Sequence, residues 1–251
     1  MSNKTIYILK LASLLTPILG LVIIVMARPW EPSWGPGYSV QRIGLYTLSV
    51  ILMIFVPACF LSYTYAKQKA LRENIEDLIT VRELSASAVA AAIYAVGGFL
   101  TGINIDLPAL ITAFTAVFYG PLVSLTAFSI GFIIRWLIGG APWLSIPILV
   151  PVIAMVDGGV WAINSYVYHL IRNLFGEKNI FLRLALAIGL IIVIHFACEP
   201  VLYGIVMLPW PASIAYITYA ALSWYPTAII FTIVGVIAGE SLSRAKPMFR
   251  I

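Results

Sequence analysis

The feature that most constrains this chain is a succession of apolar runs, most of which are long enough to cross a bilayer. Short polar stretches separate these runs. Hydrophobic residues make up 62% of the 251 residues and charged residues 10%, and the mean hydropathy is +1.02. A soluble fold cannot bury that much apolar surface. In lipid, each crossing must be a helix or a strand of a closed barrel, and these runs lack the alternation of barrel strands. The sequence therefore predicts an all-α polytopic transmembrane helical bundle.

Eight runs are candidate spans, and the fourth and fifth are separated only by Tyr119-Gly120-Pro121. If these three residues form a turn, all of the 15 Lys and Arg residues except Arg28, Arg42 and Arg135 fall on one side. A mere kink would divide the basic residues almost evenly. Because basic residues concentrate in cytoplasmic loops, we predict eight spans in the plasma membrane with both termini cytoplasmic. The runs are Ile6 to Met26, Ile43 to Tyr65, Leu84 to Ile103, Leu107 to Phe118, Leu122 to Ile138, Ser145 to Ile171, Leu184 to Leu208 and Ile214 to Gly239.

The net charge of +5 follows from the same asymmetry. It indicates membrane topology and contact with the anionic headgroups of the lipid bilayer, and it is not a signature of nucleic-acid binding.

The longest polar stretch, from Lys67 to Glu83, divides the chain. Apolar residues recur in it at helical spacing, which predicts an amphipathic segment on the cytoplasmic face. The predicted organisation is two N-terminal spans in residues 1–66, a cytoplasmic linker in 67–83 and a six-helix membrane unit in 84–251.

Four polar or aromatic residues in the last three spans are predicted to share one depth in the membrane. Counting the helical rise inward from the external ends places Glu199 about 14 Å deep, Trp224 about 15 Å, Asp157 about 18 Å and His195 about 20 Å. Tyr203 lies on the same helix face as His195 and Glu199, four residues further along. Ionisable groups inside a bilayer need a partner or a cavity, so these side chains either contact a substrate or fix helix packing by bonding to one another.

Besides Asp157, two further residues border the same predicted pocket, namely Arg135 and Trp143. Asp157 precedes Gly158-Gly159, which admits close approach of a ligand or of another backbone; the alternative is that Asp157 pairs with Arg135 or with a hydroxyl. Arg135 lies near the external end, where it either reaches the headgroups or captures an anionic group. Trp143 is either an interfacial anchor or a lid over the substrate.

A stripe of small residues marks the first helix of the six-helix unit. Ala86 and Ala90 lie on one smooth face, and Ala88 and Ala92 lie on an adjacent one. Such faces let helix backbones approach closely in lipid, either within the bundle or against another subunit.

Three segments of the part from Leu84 to Gly239 resemble the S components, the substrate-binding subunits of energy-coupling factor vitamin transporters. They are the small-residue stripe Ser85 to Tyr94, the short helix from Leu107-Pro108 to Tyr119-Gly120-Pro121, and the segment Ile130 to Gly140. The resemblance implies an externally open pocket built mostly by the last three spans. It also implies that the alanine face docks on a transmembrane coupling subunit, which works with ATPase subunits. This chain has no G-x-x-x-x-G-K-[ST] motif, so any ATP chemistry must belong to another chain.

From these patterns we expect a subunit that captures a small vitamin-like nutrient, and neither an enzyme nor a cofactor protein. Abundant Trp and Tyr suit stacking against a heterocycle, and carboxylates suit its amines or ring nitrogens. The alternative is an accessory or scaffold subunit of a membrane complex, in which the polar residues satisfy one another. An intramembrane hydrolase using His195 and Glu199 is disfavoured, because the only other histidine, His169, lies near the cytoplasmic end and completes no metal site.

Overall fold

The computed structural model describes residues 3–27, 40–103, 105–141, 144, 147–176, 179–194, 212–223 and 225–245. Within these ranges every regular element is helical, and the chain is an all-α helical bundle. Four of the helical segments are long and apolar enough to cross a membrane, namely Thr5–Ala27, Gly44–Glu73, Val150–Phe175 and Tyr225–Ala245. Shorter apolar helices accompany them. The protein is therefore a membrane protein built from helices, as the apolar runs predict.

The described α-helices are named in chain order. They are α1 Asn3–Ala27, α2 Val40–Val50, α3 Val56–Glu73, α4 Val81–Gly97, α5 Leu107–Phe118, α6 Pro121–Leu137, α7 Val150–Phe175, α8 Ile180–Val193, α9 Ala212–Ser223 and α10 Tyr225–Ala245. Short 3₁₀ turns lie at Leu100–Ile103 and Pro147–Leu149. The predicted last span corresponds to α9 and α10, on either side of Trp224.

The second predicted span is longer than its apolar run. A π-helical turn at Ile51–Phe55 joins α2 to α3, and α3 continues to Glu73. Asn74 ends α3 in the left-handed conformation, with φ of 54°, and Thr80 begins α4 through a reciprocal capping box with Glu83. The polar stretch 67–83 thus forms the end of one helix, a turn and the first residues of the next, instead of a separate amphipathic helix.

The turn at Tyr119-Gly120-Pro121 reverses the chain. Gly120 has a φ of 108°, a conformation that glycine adopts without strain. At one end of α5, Leu107 lies against Gly97, the last residue of α4; at the other end, Tyr119 shares a cleft with Glu83 from the start of α4. Consequently α5 runs antiparallel to α4. Because α6 runs parallel to α4, α5 and α6 are two helices of opposite direction and not one kinked helix.

Contacts between residues at known positions give the relative directions of the other helices. Thr126 of α6 donates to Ser87 of α4 at 3.2 Å, and Gly131 lies against Ala91 further along, so these two helices are parallel. The end of the bundle that carries Glu83, Tyr119 and Arg183 is called the basic end below. The end that carries Gly98 and Arg135 is called the opposite end.

Helix α7 lies at the centre of the described bundle. It packs against α3, α5, α6 and α8, and among its residues Trp161 and Tyr168 are almost completely buried. By contrast, α1 packs mainly against α2, α3 and the π-helical turn between them, and most of its large apolar side chains are exposed. The core of the described bundle thus lies around α7, and α1 lies at its margin.

Candidate functional site

One face of α7 carries four buried residues with polar groups. Asp157, Trp161, Asn164 and Tyr168 are spaced four, three and four residues apart, which places them on one side of a helix. All four are buried. Asp157 and Tyr168 each take part in a polar cluster, one toward each end of the bundle.

The first cluster, called the Asp157 cluster, consists of Asp157, Tyr94 and Arg135. The hydroxyl of Tyr94 on α4 donates a hydrogen bond to Oδ2 of Asp157 on α7. Both side chains are buried, with 2% of Asp157 and 5% of Tyr94 exposed. A buried carboxylate needs such a donor, because an uncompensated charge in a low-dielectric interior is costly.

Arg135 of α6 completes the Asp157 cluster from the opposite end. Its guanidinium carbon lies 5.6 Å from the centre of the Tyr94 ring, within the range of a cation–π contact. Its Nε donates to the carbonyl oxygen of Gly140 at 2.9 Å, and its side chain packs against Gly98. These contacts hold the positive charge over Tyr94, at the edge of the cluster.

Gly158 explains how α6 and α7 come close enough to build this cluster. A Cβ atom at Gly158 would lie 2.7 Å from the carbonyl oxygen of Leu125 and would meet Oγ of Ser129. The predicted close approach beside Asp157 is therefore an approach of another backbone, that of α6. Phe128, on the same stretch of α6, contacts both Tyr94 and Trp161. Its ring centre lies 5.5 Å from that of Tyr94 and 6.5 Å from that of Trp161.

Of the predicted substrate-binding residues, the structure brings Asp157 and Arg135 to one place through Tyr94. Of the two partners foreseen for Asp157, the hydroxyl is the one observed, and it comes from Tyr94. Trp143, His195, Glu199, Tyr203 and Trp224 lie outside the described residues. Their approach to Asp157 stays a prediction.

The small-residue stripe is divided by the fold. Ala90 is buried, with 3% exposed, and its neighbour Ala91 lies against Gly131 of α6. Ala86 is half-buried, whereas Ala88 and Ala92 are exposed. The first face therefore packs within the bundle, and the Ala88 and Ala92 face is directed outward; docking of a partner there stays a prediction.

A second polar cluster, called the Glu240 cluster, lies at the basic end and was not predicted. Glu240 of α10 is 2% exposed and Arg183 of α8 is fully buried. Glu240 accepts hydrogen bonds from Tyr168 through Oε2 and from Arg183 through Oε1. Arg244 also donates to Oε1, at 2.9 Å, and Arg183 donates to the carbonyl oxygen of Gly176 at 2.7 Å.

The sequence does contain a signal for this second cluster. Glu240 follows an apolar run directly, and an ionisable residue inside or beside a span needs a partner. Membrane topology already accounts for Arg183 as a basic residue beside a predicted cytoplasmic loop, so the sequence alone does not indicate that Glu240 is its partner. In the structure these two residues form a buried ion pair that joins α8 to α10.

The described part of the chain offers no cluster of metal ligands. No group of three or more His, Cys, Asp or Glu side chains there could hold a metal ion. His169 is half-buried at the basic end, where its ring lies 4.8 Å from that of Tyr65.

Comparison with known proteins adds no assignment. No family model matches the chain, and neither a curated protein nor a solved structure matches it.

Proposed function

We propose that this membrane protein is the substrate-capture subunit of an importer for a vitamin or similar small nutrient, and that it passes its ligand to an ATP-driven coupling module formed by other chains. The observation that carries this proposal is the Asp157 cluster. It gathers a carboxylate, a phenol and a guanidinium toward one end of a mostly apolar bundle. Ionisable residues at such positions typically mark a substrate or ion pathway.

The chemistry of the Asp157 cluster suits a small heterocyclic ligand. The Asp157 carboxylate can accept a hydrogen bond from an amine or a protonated ring nitrogen, and Arg135 can bind an anionic group. Tyr94 and Trp161 supply aromatic surface. Binding sites of this kind combine apolar walls with a few polar groups that orient the ligand.

The position of the cluster fits capture from outside the cell. The cluster lies toward the opposite end of the bundle, away from Lys69, Arg172 and Arg183 at the basic end. If the basic end faces the cytoplasm, as the distribution of Lys and Arg predicts, the cluster lies in the outer half of the membrane. The resemblance to S components supports transfer of the ligand to a coupling subunit.

A second candidate is an accessory subunit of a membrane complex that binds no ligand. One observation favours it: Asp157 already accepts a hydrogen bond from Tyr94, so the cluster satisfies part of its polar demand internally. This candidate predicts that the protein purifies with a stable assembly and with no small molecule.

A binding experiment separates the two candidates. The purified protein in lipid nanodiscs would be titrated with a panel of vitamins and their precursors, and its extract would be searched for co-purified small molecules by mass spectrometry. We expect one ligand class to bind with nanomolar affinity. Asp157→Asn should weaken that binding by about 30-fold or more, since a hydrogen bond to a charged group contributes about 2 to 3 kcal/mol.

Asparagine at position 157 can still accept the hydrogen bond from Tyr94, so this variant tests the charge without leaving the phenol unpaired. Glu199→Ala tests the predicted second carboxylate. Glu76→Gln, on the exposed turn between α3 and α4, is the matched control and should bind as the wild type does. Equal binding by Asp157→Asn, or no binding across the panel, would contradict the proposal.

A further inference from the structure

The Glu240 cluster fastens three helices together at the basic end of the bundle. Tyr168 belongs to α7, Arg183 to α8 and Glu240 to α10, and all three residues are almost completely buried. Arg183 also donates to the carbonyl of Gly176, the residue that ends α7. The guanidinium of Arg183 on α8 therefore bonds to the end of α7 and to the last turns of α10.

Arg183 is the polar member of the buried face of α8. The buried residues in the described part of this helix are Arg183, Ala187 and Ile191, and the partly buried Leu184 and Ile188 pack beside them. The apolar contacts have no preferred direction, whereas the bonds of Arg183 do. Among the described residues of α8, Arg183 is therefore the one that best specifies the position of the helix along α10.

A buried ion pair is a poor device for stability alone. The desolvation of two charges roughly cancels their attraction, and replacement of such pairs by apolar side chains is often neutral or stabilising. The best-attested use of buried polar pairs is to select one register among several.

The Glu240 cluster is also arranged so that the ion pair can separate at reduced cost. Breaking a buried pair is expensive when it leaves a charge unpaired. Here Glu240 would keep Arg244, which lies one turn away on the same helix and donates to the same oxygen at 2.9 Å. Arg183 would keep the Gly176 carbonyl at 2.7 Å. Each partner therefore retains a hydrogen bond after separation.

From these observations we infer that the Glu240 cluster is a releasable register lock for α8. In the locked position Glu240 is shared between Arg183 and Arg244. In the released position it is held by Arg244 and Tyr168, while α8 shifts relative to α10 and Arg183 keeps its bond to the carbonyl of Gly176. Arg244 is partly exposed, with 38% of its side chain accessible, so an acidic group approaching from the basic end could draw it away and favour the locked position.

The consequence for ligand handling rests on the proposed function. His195 and Glu199 follow α8 in the sequence, so a shift of α8 would displace the segment predicted to contact the ligand. The shift itself requires no ligand, and it can be tested without one.

Hydrogen–deuterium exchange of the full-length protein in nanodiscs, measured by mass spectrometry, tests the lock. In the double variant Arg183→Met/Glu240→Met, apolar side chains of similar volume replace both charges of the buried pair, while the partly exposed Arg244 and the hydroxyl of Tyr168 lose their bonds to Glu240. We expect amide exchange in α8 to rise by about tenfold or more, because the lock is lost, while exchange in α5 stays at the wild-type level.

The variant Arg244→Met makes the test specific, because it removes the partner that stabilises the released position. We expect exchange in α8 to stay at or fall below the wild-type level in this variant. A purely structural cluster would instead loosen in both variants. Increased exchange in Arg244→Met, or unchanged exchange in the double variant, would overturn the inference. If the exchange results are as expected but no nutrient binds, the proposed function is refuted and the register lock is not.

Discussion

Glu83 stabilises the start of α4 at the edge of the membrane. It accepts hydrogen bonds from the backbone N–H and the hydroxyl of Thr80, both at 2.9 Å, and from Lys69 of α3. Burial favours its neutral form, but the hydrogen bonds from Lys69 and Thr80 and the charge of Lys69 outweigh burial and hold the pKa of Glu83 below its ordinary value.

This pKa gives a dependence of stability on pH with a definite sign. A carboxyl group whose pKa is lower in the folded state stabilises that state above its ordinary pKa, and the contribution disappears as the pH falls through the folded-state pKa. Glu83→Gln should therefore be less stable than the wild type at neutral pH, and the difference should shrink below about pH 4. Unfolding midpoints in detergent between neutral pH and about pH 3.5 would measure it, with Glu76→Gln as the control. A difference that is constant over this range would contradict the assignment.

Single residues differ in how far their environment is visible in the sequence. Asp157 was identifiable because a carboxylate within an apolar run must be compensated. Its donor Tyr94 lies 63 positions away, and nothing local distinguishes Tyr94 from the other tyrosines of the spans. The sequence does not point to a buried partner for Arg183, because membrane topology already accounts for a basic residue beside a predicted cytoplasmic loop.

At the level of helices, the contact between α6 and α7 depends on Gly158. Gly158→Ala would place a Cβ atom 2.7 Å from the Leu125 carbonyl oxygen and 2.9 Å from the Ser129 nitrogen, both of them backbone atoms that cannot rotate away. The helices would have to separate, and we expect a loss of about 1 to 3 kcal/mol.

Gly189→Ala is the matched control, because a Cβ atom at this helical glycine meets nothing within 4 Å. Alanine is the better helix former by about 1 kcal/mol, so this variant should be neutral or slightly stabilised. Unfolding curves of both variants in mixed micelles would compare them. Equal effects at the two positions would show that close packing at Gly158 does not determine stability.

The bounds of a helix were predictable where a capping residue or a Gly-Pro turn stands at the end of its apolar run. The bounds of α5 match the predicted run from Leu107 to Phe118, since Asp106 caps its first turn and Gly120-Pro121 follows its last. The second span extends eight residues beyond its run because polar residues from Lys67 onward continue the helix into the polar region. Hydropathy locates the membrane-embedded part of a helix, whereas hydrogen bonding and caps determine where the helix stops.

For the whole molecule, the central prediction is the orientation of the bundle. In a background with Cys59 and Cys198 replaced by alanine, Glu76→Cys would report on the basic end and Phe99→Cys on the opposite end; both positions are exposed. A membrane-impermeant maleimide applied to intact cells should label Phe99→Cys, and it should label Glu76→Cys only after permeabilisation, because basic loops stay in the cytoplasm. The reverse pattern would open the Asp157 cluster toward the cytoplasm and contradict capture from outside.

Asp157 and Tyr168 are eleven residues apart on α7, a distance that returns to the same helix face after three turns. Asp157 bonds to α4 and Tyr168 bonds to α10. The number of residues between Asp157 and Tyr168 therefore matters as much as the identity of these two residues. Loss or gain of a single residue in that interval would rotate one of the two by about 100° and break its hydrogen bond. Insertions and deletions between these two positions should therefore be eliminated during evolution.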